Sequence, residues 1–140
     1  MKDQLFWLVD IDGTLALRDE LRGPFDWHLV MGDRPNQPVV DVVVALSQAG
    51  FQIIYISGRP DSTMEVTSKW LDENVGVAGL IFMRSENDYR SDDIVKAEIF
   101  ENKIFQRFAI RGVIDDRNKV VKMWREKFGL TCLQVAAGNF

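Results

Sequence analysis

Cysteine and histidine are almost missing from this 140-residue chain: each occurs once, as Cys132 and His28. A lone cysteine excludes a disulfide framework and points to a reducing, cytoplasmic setting, with Cys132 itself expected inside a strand. Nothing around His28 suggests a proton relay, so histidine catalysis is not expected. Long apolar runs are missing as well. The N-terminal one covers only Leu5–Val9, with Asp3 upstream, too short for a membrane span or a signal peptide. Positive charge is not in excess: 17 Lys and Arg face 21 Asp and Glu, for a net charge of -4 and a pI of about 5.0. Such a surface does not attract polyanions as a whole, so any nucleic acid must be recognised locally. No Gly-x-x-x-x-Gly-Lys-Ser/Thr loop occurs, which excludes a kinase domain of that type. Repeats, low-complexity tracts and linker-like stretches are absent too. With 46% hydrophobic and 27% charged residues, residues 1–140 are expected to form one domain around one core.

What is present alternates. Apolar runs at residues 4–9, 51–56, 80–83, 108–114 and 131–135 have the length of buried strands. Between them, helices are expected over 39–49, from Ser62 to about Asn74, from Ser91 past Ile99, and over 120–128. Pro38 suits a first helical turn, and Gly50 and Gly129 act as stops. Ser62-Thr63-Met64-Glu65 fits a capping box, and Ser91 can cap a helix whose first turn holds Asp92 and Asp93. Residues 16–37, by contrast, are polar, carry Gly and Pro, and show no period. Strands alternating with helices imply a parallel sheet with right-handed crossovers, a three-layer, Rossmann-like α/β fold. Trp7, Trp70 and Trp124 fall in apolar patterns and are expected in the core. Trp27, in the polar segment, is the better candidate for stacking on a base, with packing as the plainer reading.

Three of the strands end in unusual polar groups: Asp10 and Asp12, then Ser57-Gly58-Arg59, then Asp115 and Asp116. In a parallel sheet these ends share one edge, where open α/β sheets place their ligands. Acids crowded at such a point repel each other and lose hydration, a combination tolerated beside a cation. Lys96 lies four residues beyond Asp92, on the same helix face and near a helix start on that edge. The set fits Mg²⁺-assisted phosphoryl transfer. Asp10, directly at a strand end, can attack phosphorus and form an aspartyl-phosphate. Asp12 can protonate the leaving oxygen and then deprotonate the attacking water. Asp10, the Asp12 carbonyl and the Asp115/Asp116 pair offer hard oxygen ligands for Mg²⁺. Ser57 and the backbone around Gly58 can hold phosphoryl oxygens, while Lys96 neutralises charge in the transition state.

Taken in order, Asp10-Ile11-Asp12-Gly13-Thr14, Ser57-Gly58-Arg59, Lys96 and Asp115-Asp116 resemble the four motifs of the haloacid dehalogenase (HAD) phosphatase superfamily. Within it, the chain is similar to the phosphatase domain of bacteriophage polynucleotide kinase/phosphatase at residues 22–26, 57–59, 92–100, 114–117 and 134–140. The resemblance thus spans essentially the whole length. It implies a nucleophilic Asp10, a general acid/base at Asp12, and phosphate or substrate contacts by Arg22 and Arg59. It further implies a supporting acid at Asp92, a phosphate-binding Lys96, a direct metal ligand at Asp116 and a water-mediated one at Asp115. The spacing from Asp12 to Arg22 is one residue longer than in the phage enzyme, and the segment after Arg59 is shorter. DNA or RNA 3′-phosphate ends are the implied partners. A separate kinase or ligase, and an oligomer, stay open; no membrane partner is implied.

Each motif has a plainer reading alone. Asp-x-Asp-Gly occurs in turns, Asp92 suits a helix dipole, Lys96 a solvated face, Asp115-Asp116 an N-cap, and Arg22 and Asp26 a surface pair. Arg18, Arg34, Arg84 and Arg90 sit in loops and are weaker candidates for substrate contacts. Four motifs in order at strand ends outweigh these readings. The stretch between Asp12 and the first long helix is too short for a cap domain, and later loops are short too. An uncapped pocket admits the end of a polymer, whereas enzymes of small metabolites more often close over them. A Mg²⁺-dependent 3′-phosphatase of DNA or RNA ends is therefore the expected function. A 5′-end or mononucleotide phosphatase on the same scaffold is the nearest rival, and a non-catalytic module of the same fold a remoter one.

Overall fold

Apolar side chains that alternate direction along a strand can bury both faces of a sheet only if helices cover each side. A computed structural model, describing residues 4–18 and 23–140 with His28 as backbone only, shows that arrangement. Strands β1 (Leu5–Val9), β4 (Gln52–Pro60), β5 (Gly79–Arg84), β6 (Ala109–Asp115) and β7 (Cys132–Gln134) form one parallel sheet in the order β5-β4-β1-β6-β7. Helices α1 (Gln37–Gln48) and α2 (Met64–Asn74) cover one face through Val40, Val43 and Trp70, packed with Val9, Ile53 and Tyr55. Helices α3 (Asp92–Ile99) and α4 (Asn118–Phe128) cover the other through Val95, Val121 and Trp124, packed with Leu8, Ile54 and Val113. Leu8 and Val9, adjacent in sequence, thus serve opposite layers. Trp70 and Trp124 are fully buried, and truncating either to Ala should cost about 3–5 kcal/mol. No helix among the described residues is long and apolar enough to cross a membrane.

Three local expectations are corrected, and the aperiodic polar segment takes a defined form. In it β2 (Ala16–Leu17) and β3 (Arg34–Pro35) form a small antiparallel ribbon, with a 3₁₀ turn at Trp27–Gly32. Nothing larger than this ribbon and turn occupies its described part, so the sheet carries no large cap. The second long strand does not stop at Ile56. The Ser57 Oγ accepts the Arg59 N–H at 3.0 Å, which kinks β4 locally, and pairing with β5 resumes at Pro60. The capping box at Ser62 is replaced by a 3₁₀ turn, Asp61–Thr63, in which the Thr63 hydroxyl donates back to the Pro60 carbonyl at 2.8 Å. Finally, the Ser91 hydroxyl bonds the Asp93 carboxylate instead of capping a backbone N–H, and α3 runs on into a π-helical turn at Phe100–Ile104.

Candidate active site

The carboxyl edge of the sheet gathers the strand-end acids around one ammonium. Asp10 follows β1 directly and is 5% exposed; Asp115 ends the neighbouring β6 and is fully buried. Lys96, on the first turns of α3, donates to Asp10 Oδ1 at 2.8 Å and to Asp115 Oδ2 at 3.0 Å. The other Asp10 oxygen accepts from the buried Thr14 hydroxyl at 2.8 Å. Asp115 also accepts the Asp116 N–H at 2.8 Å and the Trp124 indole N–H at 3.3 Å, which fixes both of its oxygens. Gly13 makes the turn between these groups possible. Its φ of +81° suits glycine, and a Cβ there would lie 2.1 Å from Asp116 Oδ2.

Among the described residues, Asp10, Asp115 and Asp116 are the carboxylates close enough to share one metal ion, with candidate oxygens within 4.8 Å of one another. Three acids sharing one lysine leave excess negative charge in a nearly dry site. Burial first, then repulsion by Asp115 and Asp116, holds Asp10 well above the usual carboxylate range despite Lys96. Asp116 is likewise raised, chiefly by burial. Burial alone would lower Lys96, but Asp10 and Asp115 overcome it and keep the ammonium charged. The hard, all-oxygen donor set and its uncompensated charge fit a divalent cation.

The remaining sequence candidates separate into two groups. Asp12 is partly exposed and faces the cleft, where Arg59 grips it twice: Nε to Oδ2 at 2.9 Å and Nη2 to Oδ1 at 2.7 Å. Arg59, expected as a phosphate or substrate contact, is itself fully buried, held also by Thr67 at 3.0 Å and Asp33 at 3.3 Å, and does not line the cleft. Ser57 is fully buried too and is engaged by the Arg59 backbone. Gly58 and Asp92 do line the cleft. Asp92 bridges Arg84 and Arg117, accepting from Arg117 Nη1 at 2.8 Å, while Arg84 Nε reaches the Gly58 carbonyl at 2.7 Å. Arg22 and the His28 side chain lie outside the described residues. Cys132 is buried as expected, its thiol pushed up to about 12 by burial and then by Asp115.

Sequence reasoning missed several partners in this network. Thr14 was visible only as the end of a motif, and nothing flagged Asp33 as the second carboxylate on Arg59. The resemblance over residues 134–140 implies no role for them. The structure folds residues 134–140 against the Asp116 loop: Gln134 Nε2 donates to the Asp116 carbonyl at 2.9 Å, and the Asn118 N–H reaches the Gly138 carbonyl at 2.9 Å. A Cβ on Gly138 would fall 1.9 Å from the Asp116 carbonyl oxygen, so only glycine permits this approach. Above the acids opens a cleft of about 880 Å³, within the size range of small-molecule sites and far larger than one phosphate needs.

A family model for the polynucleotide kinase PNKP phosphatase domain matches residues 5–140. The chain belongs to that family. It is therefore a HAD-type phosphomonoester hydrolase. Over 122 residues, this PNKP-type phosphatase is 31% identical to a protein of Autographa californica nuclear polyhedrosis virus named provisionally as a bifunctional polynucleotide kinase/RNA ligase. That match takes in 85% of the chain and 17% of the viral protein. Two solved structures of a Pnkp1/Rnl/Hen1 complex, one described as an RNA repair complex, superpose with a TM-score of 0.92 and 36% identity. The match covers 99% of the chain and 46% or 48% of theirs, so it spans less than half of each of these relatives. A class C acid phosphatase from Bacillus anthracis, 16% identical with a TM-score of 0.63, shares the fold.

Proposed function

We propose that this phosphatase removes the 3′-phosphate from nucleic acid ends in a Mg²⁺-dependent reaction through an aspartyl-phosphate on Asp10. The observation that carries this reading is the Asp10–Lys96–Asp115–Asp116 cluster at the base of a wide cleft with no large cap over it. A Mg²⁺ ion, which Asp10, Asp116 and the Asp12 carbonyl would hold with Asp115 in support, would supply neutralisation of the phosphoryl charge. Thr14 and Lys96 hold the two Asp10 oxygens in one orientation, so the carboxylate meets phosphorus without searching rotamers. Attack by Asp10 forms the acyl-phosphate bond and breaks the bond from phosphorus to the 3′-oxygen, which takes a proton from Asp12. Asp12 then accepts a proton from water, whose oxygen attacks phosphorus and releases inorganic phosphate and free Asp10. Arg59 serves this as a positioning residue, fixing Asp12 by its two-point grip.

The polymer reading rests on the open cleft and on the nucleic acid repair setting of the relatives, whose names favour RNA. Those names also support work beside a kinase or ligase. Phosphate release from 3′-phosphorylated and 5′-phosphorylated oligonucleotides, in RNA and DNA form, and from 3′-mononucleotides tests it. The 3′-phosphorylated oligonucleotides should turn over fastest. Turnover of mononucleotides alone, or of 5′ ends in preference, would refute the reading.

A further inference from the structure

Large aromatic side chains left in water cost free energy unless something covers them, and single ones are commonplace. Among the described residues, four aromatic side chains are more than half exposed: Phe25, Tyr89, Phe105 and Phe140. Three of the four, all but Phe105, line the one cleft above the acids. They reach it from three directions. Phe25 comes from the insert after β1, Tyr89 from the loop after edge strand β5, and Phe140 from the segment after the opposite edge strand β7.

Each exposed ring sits on a clamped backbone. Tyr89 is flanked by residues whose carbonyls Arg84 Nη1 binds, Asp88 at 2.9 Å and Arg90 at 2.6 Å, and Asp88 and Arg90 pair with each other at 2.7 Å. Phe25 rides a turn closed by Asp26, whose carboxylate accepts the Gly23 N–H at 2.8 Å, and its ring meets Trp27 edge-on at 6.3 Å. Phe140 is held by Arg117, which donates to its carbonyl at 2.9 Å and lays its guanidinium 5.0 Å from the ring centre. Aromatic faces carried on a tied-down backbone lose less entropy on binding a flat partner, as nucleobase platforms require. The exposed cations Arg18 and Lys119 on the same cleft suit the backbone that carries such bases.

We propose that Phe25, Tyr89 and Phe140 form a stacking rim that takes the terminal nucleobases of an unpaired, single-stranded end while its phosphate lies on the acidic floor. This rests on the polynucleotide-end reading above and sharpens it: affinity comes from base faces more than from a basic track. Stacking needs unpaired bases, so a blunt duplex end should be a poorer substrate than a single strand.

The test compares KM and kcat of the full chain with those of Phe25→Ala, Tyr89→Ala, Phe140→Ala and Tyr89→Phe. Three substrates are used: a 3′-phosphorylated single strand, the same strand with its last two bases removed to leave abasic sugars, and glycerol 3-phosphate. On the intact strand each Ala variant should raise KM by about tenfold with kcat little changed. Tyr89→Phe should keep the parent KM. On the abasic strand and glycerol phosphate the variants should match the parent. Unchanged KM on the intact strand, or equal losses on all three substrates, overturns the rim. A parent that prefers 3′-phosphorylated strands yet treats intact and abasic strands alike also overturns it while leaving the polynucleotide-end reading intact. A parent with no preference for 3′-phosphorylated strands overturns both.

Discussion

On the floor of the cleft, Asp10, Thr14, Lys96 and Asp115 are buried, and each bonds another member of the set within 3.0 Å. At its rim, Phe25, Tyr89 and Phe140 are exposed, held through their backbones and turns and, for Phe25 and Phe140, by ring contacts with Trp27 and Arg117. The floor stores unfavourable charge that a cation and a phosphate relieve. The rim stores unfavourable apolar exposure that flat, weakly polar groups relieve. A substrate matching both must carry a phosphate and bases, and a change on one side should leave the other's signature unaltered.

The largest effect is expected on the floor. Asp10→Asn should lower kcat by on the order of 10⁴-fold or more, as loss of a nucleophile does. It also removes a crowded charge, so the melting temperature in chelator should not fall by more than a few degrees. Retained turnover would take the nucleophile role from Asp10. Lys96→Met reverses the electrostatic sign of that experiment, leaving Asp10 and Asp115 buried without their cation. Thermal unfolding should then show a loss of about 3–5 kcal/mol together with loss of activity, and a variant as stable as the parent would contradict the description of the site.

Gly138→Ala lies far from the acids in sequence but pushes on the Asp116 carbonyl and the Arg117 Cα. It should cost about 1–3 kcal/mol and raise the Mg²⁺ concentration needed for half-maximal activity. It should also raise KM, because the Gly138 carbonyl accepts the Phe140 N–H and Arg117 holds that ring. The smallest effect is a pH dependence. Asp10 and Asp116 are raised in the folded state, so the metal-free protein holds more protons folded than unfolded. Its stability from these groups is full below the ordinary carboxylate range and declines as pH climbs through their raised values. Mg²⁺ should offset that decline. The gain in melting temperature on adding Mg²⁺, measured by calorimetry, should therefore grow as pH rises and shrink as it falls towards the ordinary carboxylate range. A gain independent of pH would mean the acids are not the ligands.

The floor was more legible in the sequence than the rim because of where each comes from. Buried strands announce themselves by apolar runs, and the residue after such a run must sit at the sheet edge, so Asp10 and Asp115 could be placed before any coordinates. Lys96 followed from helix spacing. Arg59 shows the limit of that method. A kinked continuation of β4 turns its guanidinium inward onto Asp12, and no local pattern distinguishes a strand-end arginine facing solvent from one facing the interior. Asp33, Arg84 and the 134–140 segment join the site through tertiary contacts spanning tens of residues, which periodicity does not encode. The rim is hidden for another reason: Tyr89 and Phe140 are 51 residues apart, and only the topology brings the two sheet edges that carry them to one cleft.

Direct attack of Asp10 on the phosphate is the step on which the proposed mechanism turns. It is tested by mixing excess enzyme with a single strand carrying a radiolabelled 3′-phosphate, quenching in acid within milliseconds, and locating the label by peptide mapping. Label is expected on the peptide containing Asp10, absent in Asp10→Asn and chased by unlabelled substrate. Phosphate released with no labelled protein at any time, or label on another residue, would contradict it.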